Sequence, residues 1–327
     1  MIYMKKLALL LAAVVVCSIL GGCQMENDPG SGQSGIGSSS SESSDLPAYE
    51  YNYNPYALPS LIEEKLGDSL SVYKAAVDAI ESRVESVPVK DESEFQLVTG
   101  VLKEYYPPFA LVTAAEYSAS DAAMKFSYRY NRNVHAQKIS DYPAKFKSIF
   151  MLALKQGDGE VAKAMGIYLY ATSSMFESGR SNLTAWDALN GEADHNSYAE
   201  VLGAALLQAG VDCLKVETKG GDGTPHLMIL AKLEGSYYYM DPFGETALSD
   251  GTGLAAFGMT QEDCAKNGYL DSFTLKTGSS SGEVPPAADD PRFSELRLCA
   301  RWKFDEKREN IIIIVDGVER DWGPLVK

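Results

Sequence analysis

Three side chains in this sequence are of types that do chemistry together: His195, His226 and Asp241. An imidazole carries protons near neutral pH, and a carboxylate beside it fixes its orientation and tautomer. Histidine is scarce, with 3 in 327 residues, so two of them near one carboxylate carry weight. The nucleophile that most often accompanies such a pair is a cysteine thiolate or a serine hydroxyl. Cysteines stand at 17, 23, 213, 264 and 299, and none adjoins the three polar residues in sequence. No CxxC, HxxxH or paired-histidine spacing is present, so no metal is expected. His195, His226 and Asp241 around one cleft would offer zinc three ligands and an open position, which remains an alternative.

These residues need elements to position them. His195 lies in "EADHNSYAEVLGAALLQAG", residues 192–210. Tyr198, Val201, Leu202, Ala205, Leu206 and Ala209 recur at helical spacing and form one apolar stripe facing a core. Gly210 is the expected stop. Ser197 and Glu200 fit an S-x-x-E capping box, with Asp194 and Asn196 as alternative caps. His195 therefore stands at or just before a helix N-terminus, where unpaired N–H groups gather. Asn196, Ser197 and Tyr198 share that end and are candidate binding residues. Beyond the helix, "VDCLKVET" alternates as a strand, and "KGGDGTP" has loop composition. "HLMILAKLEGSYYYMDPFGE" reads as a β-hairpin turning at Glu234-Gly235. If Leu233 faces Ser236, Asp241 faces Met228. His226 and Asp241 then share one face as diagonal neighbours, with Cβ atoms roughly 7–8 Å apart or less. A hairpin lying far from His195 would point instead to a solute-binding protein of unrelated fold.

The remaining elements are legible in outline. Helical spacing marks "LSVYKAAVDAIESRV", "SDYPAKFKSIFMLALKQG" and "DGEVAKAMGIYLYATSSMF", and "AMKFSYRY" alternates as a half-buried strand. Tyr49, Tyr51 and Tyr53 share one face of an extended segment expected to dock on its own domain. "MTQEDCAKNGY" predicts a short helix starting at Thr260, and "FSELRLCARWKF" predicts a strand. "ENIIIIVDGVERDW" predicts a hairpin turning at Asp316-Gly317, its β-branched run 311–315 belonging in a core. No internal repeat is visible.

The chain opens "MIYMKKLALLLAAVVVCSILGGC", with Lys5 and Lys6 before an apolar run too short to span a bilayer comfortably. The segment 20–23, Leu-Gly-Gly-Cys, resembles the lipobox of bacterial lipoproteins. That resemblance implies a signal peptide over 1–22, a lipidated Cys23, and an extracytoplasmic protein anchored to the cell membrane through lipid. Residues 23–48, rich in serine and glycine, read as a tether too poor in apolar side chains to fold. The expected organisation continues with an N-terminal α/β region over 49–155 and a core over 156–327. A net charge of −16 without a basic run argues against nucleic acid as a partner. With Cys23 lipidated, an odd number of cysteines remains, which argues against a full disulfide framework.

The order of helix start, strand opening with His226 and strand ending with Asp241 resembles the transglutaminase-like superfamily. The matching pieces are "TAWDALNGEADHNSYAEVLGAALLQAGVDC" and "HLMILAKLEGSYYYMDP", including the fifteen-residue step from His226 to Asp241. The resemblance covers roughly residues 160–245. It implies an α+β fold of papain-like type, a helix packed on an antiparallel sheet, here with an N-terminal helical extension. In that superfamily a cysteine heads the helix and attacks an acyl carbon, while the His and Asp equivalent to His226 and Asp241 move and orient the proton. Here His195 occupies the cysteine position. The resemblance therefore implies a vestigial triad and a binding or scaffolding module without a cofactor, holding a peptide or peptidoglycan fragment. The alternative is an active hydrolase or acyltransferase with a non-cysteine nucleophile or a metal.

Overall fold

The structure is a computed structural model. It describes residues 47–181, 183–249, 253–269, 272–278, 282–299 and 301–324. The expected signal peptide, Cys23 and the tether as far as residue 46 lie outside the described residues. Pro47 and Ala48, which the sequence assigns to the tether, already bond to the fold. The N–H of Gln156 donates to the Pro47 carbonyl at 2.9 Å, and Ala48 forms an isolated bridge with Lys155.

In chain order, α1 (Ser60–Leu66), α2 (Leu70–Ser82), β1 (Ser86–Pro88), α3 (Glu92–Tyr105), β2 (Val112–Ser118) and β3 (Ala123–Tyr128) build the N-terminal part. Next come α4 (Arg132–Ala153), α5 (Glu160–Ser174), β4 (Phe176–Glu177), α6 (Ala185–Leu189), β5 (Glu192–Ala193) and α7 (His195–Gln208). Then follow β6 (Cys213–Lys219), β7 (Pro225–Leu233), β8 (Ser236–Met240), α8 (Pro242–Ser249), α9 (Gln261–Lys266) and β9 (Thr274–Leu275). β10 (Arg301–Phe304), β11 (Asn310–Val315) and β12 (Val318–Pro324) close the chain. The protein is thus mixed α+β, with helices packed on antiparallel sheets. Among the described residues no helix is long and apolar enough to cross a membrane.

The sheet that matters for the site has the order β8-β7-β6-β9, antiparallel throughout. Its side chains alternate between two cores. Cys213, Leu227, Ile229, Ala231 and Met240 join the core built with α5 and α7. Leu214, Val216, Met228, Leu230 and Tyr239 join the core built with α1, α2 and α3. A strand places successive residues on opposite faces, so one apolar run serves both helical layers. The N-terminal region is therefore the second cover of the sheet. The small sheet β1-β3-β2 completes that cover through Val87, Met124 and Phe126.

α4 starts earlier than its periodicity indicates. Asn131 caps it by accepting the N–H of Val134 at 3.1 Å, and the helix continues through Pro143. Tyr49 and Tyr51 meet Phe150 of α4 edge-on, at ring-centroid distances of 5.8 and 4.8 Å, and Tyr53 meets Tyr142 at 6.1 Å. "FSELRLCARWKF" is not one strand. Phe293 and Leu296 are both fully buried at i, i+3 spacing, which a helical turn satisfies and a strand does not. The turn Leu296–Leu298 is accordingly 3₁₀, and the strand starts at Arg301. In β11 only Ile311 and Ile313 are fully buried. Their neighbours face the half-exposed side, so the β-branched run is in the core at every second position only.

Candidate functional site

The site is assembled from two helix N-termini and one hairpin. α7 begins at His195, and Asp194 is its N-cap. The Ser197 N–H donates to Asp194 Oδ1 at 3.0 Å, and the Asp194 N–H donates to Ser197 Oγ at 2.8 Å, closing a capping box. The box is one turn earlier than the S-x-x-E reading places it. Glu200 is drawn elsewhere: its Oε2 accepts the N–H of Ala185 at 3.0 Å, at the start of α6. Asp194 Oδ2 accepts the Leu183 N–H at 2.9 Å. Burial works to raise the Asp194 carboxyl, but the N–H groups of Ser197 and Leu183 outweigh it and hold it below the usual carboxylate value. His195 is thereby fixed as the first helical residue, and Gly210, at φ +78°, ends the helix region as expected.

The hairpin has the register the sequence indicates: Leu233 pairs with Ser236, and Ile229 with Met240. Glu234 and Gly235 both have positive φ, +49° and +94°, the requirement of a type I′ turn. His226 is the second residue of β7, and Asp241 follows β8 directly. His226 Nε2 lies 2.8 Å from Asp241 Oδ2. A carboxylate can only accept, so the imidazole donates to it from Nε2.

Asp241 is fully buried and saturated with donors. Oδ1 accepts the N–H groups of Phe243 and Gly244 at 3.1 and 2.9 Å, the second and third residues of α8. Pro242 at the first position needs no partner. Oδ2 accepts from His226 and from the hydroxyl of Tyr269. Burial, reinforced by the charge of Asp241, pushes the Tyr269 phenol up, so it remains a donor at neutral pH. A side chain at position 244 would collide with Asp241 Oδ2 and the Tyr269 hydroxyl, which explains glycine there. Behind Asp241, Tyr168 donates to its carbonyl at 3.1 Å and to Glu245 Oε2 at 2.9 Å. Glu245, also fully buried, accepts in addition from the N–H groups of Ala255 and Ala256 at 3.1 and 2.7 Å.

The rings of His195 and His226 are 6.4 Å apart between centroids, with planes 17° from parallel. Phe243 lies about equally far from both, at 6.1 Å, and 5.9 Å from Tyr198. His195, His226 and Tyr198 are thus gathered around one phenyl ring, whose backbone N–H is held by Asp241. Among the described residues, neither nitrogen of His195 is hydrogen-bonded. Asn196 is half-buried beside it. Ser197 does not line the site: it is fully buried, and its hydroxyl also donates to the Asp194 carbonyl at 3.0 Å. The third histidine, His135, is a buried packing residue whose Nε2 is 2.6 Å from the Ile80 carbonyl.

Tyr269, Phe243 and Glu245 belong to the site and carry no signal at motif level. The Asp-Pro-Phe-Gly run could have been read as a capped helix start, which would have found Phe243 and Gly244. The three described cysteines are free and buried. Burial pushes all three thiols up, that of Cys299 to about 11, and Cys213 Sγ lies 3.4 Å from the Gly203 carbonyl. None has the lowered pKa of a reactive thiol. Among the described residues, no group of three His, Cys, Asp or Glu side chains is arranged to hold a metal ion. No protein-family profile matches the chain, and no curated protein matches it in sequence.

Proposed function

We propose that this protein is a membrane-anchored lipoprotein with a transglutaminase-like domain that has lost its nucleophile and binds a peptide or cell-wall fragment at the former catalytic site. One observation carries the reading: the bond between His226 and Asp241 faces the first residue of α7, where that residue is His195. A proton-moving imidazole, an orienting carboxylate and a helix N-terminus are the parts of a thiol acyltransferase site. At the position where the thiol would stand there is an imidazole, whose acyl adducts are labile and whose ring is bulkier.

The surrounding chemistry favours binding over turnover. Ser197, the one serine of α7, is closed into the capping box. Phe243, backed by the buried ring of Tyr198, offers an aromatic wall, and His195 and Asn196 offer polar groups at its edge. This is the mixture of apolar wall and few polar groups that ligand sites use. Cys23 and the lipobox-like segment remain the basis for the anchor, and an extracytoplasmic position follows from them.

The test is His195→Cys followed by an electrophilic thiol probe. Labelling at position 195 should be much faster than at Cys213, Cys264 and Cys299, and His226→Ala in the same background should slow it at least about tenfold, because the imidazole raises the thiolate fraction. Labelling at the rate of an ordinary exposed thiol, indifferent to His226, would leave the pair as architecture alone. Turnover of glutamine-containing or cell-wall peptides by the unaltered protein, abolished by His226→Ala, would establish the enzyme alternative.

A further inference from the structure

A second cleft, sharing no lining residue with the histidine site, lies where the turn Pro107–Leu111, the end of β3, α4 and the segment entering α6 meet. Its volume is about 250 Å³, just under the usual span of small-molecule pockets, so it suits a small ligand. Its lining carries three cations, Arg129, Lys138 and Arg180, in a chain of net charge −16. Lys138 Nζ sits between two aromatic faces, 4.9 Å from the Tyr130 ring centroid and 4.8 Å from that of Trp186. Those rings hold the ammonium in place while satisfying none of its hydrogen bonds to an anion.

The charges nearby do not cancel. Arg180 pairs with Glu192. Asp187 lines the cleft, but its Oδ2 accepts the N–H and hydroxyl of Thr184 at 2.9 and 2.8 Å in the capping box of α6. Among the described residues neither Arg129 nor Lys138 has an ion pair. With Arg180 neutralised by Glu192 and Asp187 set against one of the other two cations, a single positive charge is left over. Pro107, Pro108, Leu111 and Leu183 supply the apolar part of the lining.

We propose that this cleft binds a small carboxylate with a planar apolar body, the carboxylate meeting Arg129 and Lys138 and the body lying along Trp186. A monoanion matches the residual charge, whereas a phosphate monoester carries nearly two negative charges at neutral pH. The guanidinium fork of Arg129 suits two carboxylate oxygens. Trp186, half-buried in the lining beside the ammonium, supplies apolar aromatic surface for the body.

Benzoate is the probe, followed through the Trp186 indole N–H by ¹⁵N NMR on the full-length protein, with Trp302 and Trp322 as internal controls. Benzoate should shift the Trp186 signal saturably below about 10 mM, bind about tenfold more tightly than acetate or benzyl alcohol, and weaken with added salt. Arg129→Gln and Lys138→Gln should each raise the dissociation constant about tenfold, the effect of one charge-assisted hydrogen bond. Arg129 is exposed, so Arg129→Gln should keep the parent's thermal midpoint, while Lys138→Gln gives up two cation–π contacts and is read in protein whose Trp302 and Trp322 signals match the parent's. The proposal is overturned by absence of saturation, by acetate or benzyl alcohol binding as well as benzoate, by phenyl phosphate binding more tightly, or by indifference to both substitutions in folded protein.

Discussion

Asp194 and Asp241 each precede a helix and each accept its first free N–H groups, at α7 and α8. The difference lies in the second oxygen. In Asp194 it accepts another backbone N–H, from Leu183, so both oxygens serve chain geometry. In Asp241 it accepts from two side chains, His226 and Tyr269. Asp194 therefore sets where a helix starts and where His195 stands. Asp241 does the same for α8 and also fixes an imidazole. The same capping chemistry yields a purely architectural carboxylate in one place and an orienting one in the other, and what separates them is which element packs against the outer oxygen.

Removing each carboxylate should expose that contrast. Asp241→Ala strands two helix N–H groups, an imidazole N–H and a phenol in a fully buried place. A destabilisation of at least about 3 kcal/mol is expected in urea unfolding, from a lost cap plus unsatisfied buried donors. A loss near 1 kcal/mol would mean that the two aspartates do the same job. Asp194→Ala should cost about 1–2 kcal/mol, the range of a good N-cap, and leave the His226 ring signals unchanged.

The Asp194 effect should also depend on pH. Its folded carboxyl is held below its ordinary value, so the stabilisation is complete above the unfolded value of about 3.9. It fades as pH falls through the folded value. The stability gap between the unaltered protein and Asp194→Ala should accordingly close in acid, and a gap that widens on acidification would reverse the assignment. Smallest is Tyr269→Phe. It removes one of two donors on Asp241 Oδ2 while His226 stays, and about 1 kcal/mol is expected. A loss as large as that of Asp241→Ala would make the phenol, and not the imidazole, the principal partner of that oxygen.

What the sequence made legible was whatever local rules govern. The stripe of α7 and its stop at Gly210 follow from helical spacing and a positive φ. The hairpin register follows from Glu234-Gly235, because a two-residue turn with both φ positive leaves one pairing. With that register, the meeting of His226 and Asp241 was readable fifteen residues apart. What could not be read depends on partners distant in sequence. Asp194 and Ser197, and Ser197 and Glu200, both have capping-box spacing, and the choice was made by Ala185, which takes Glu200. Tyr269 reaches Asp241 from 28 residues downstream without any periodic cue. The Phe293–Leu298 stretch looks like a strand until its buried positions are known to be three apart. The cation cleft draws on four separate segments, and none of them is basic by itself.

The strap of residues 47–54 also has a mechanical consequence. It is held by edge-on rings against α4 and by the amide of Gln208, which donates to the Asn54 carbonyl at 2.7 Å and accepts from Tyr51 and from the Asn54 N–H, each at 3.1 Å. Gln208 is the last residue of α7, and His195 is the first. Traction applied through the chain before Pro47 would thus load that helix at its far end, about 20 Å along its axis from the imidazole at 1.5 Å per residue. The seam is made of side-chain contacts without a strand ladder beyond one bridge, so it would peel open link by link under tension. The bonds that hold His195 and His226 in place, from Asp194 to the start of α7 and from His226 to Asp241, lie outside that seam and do not depend on the strap.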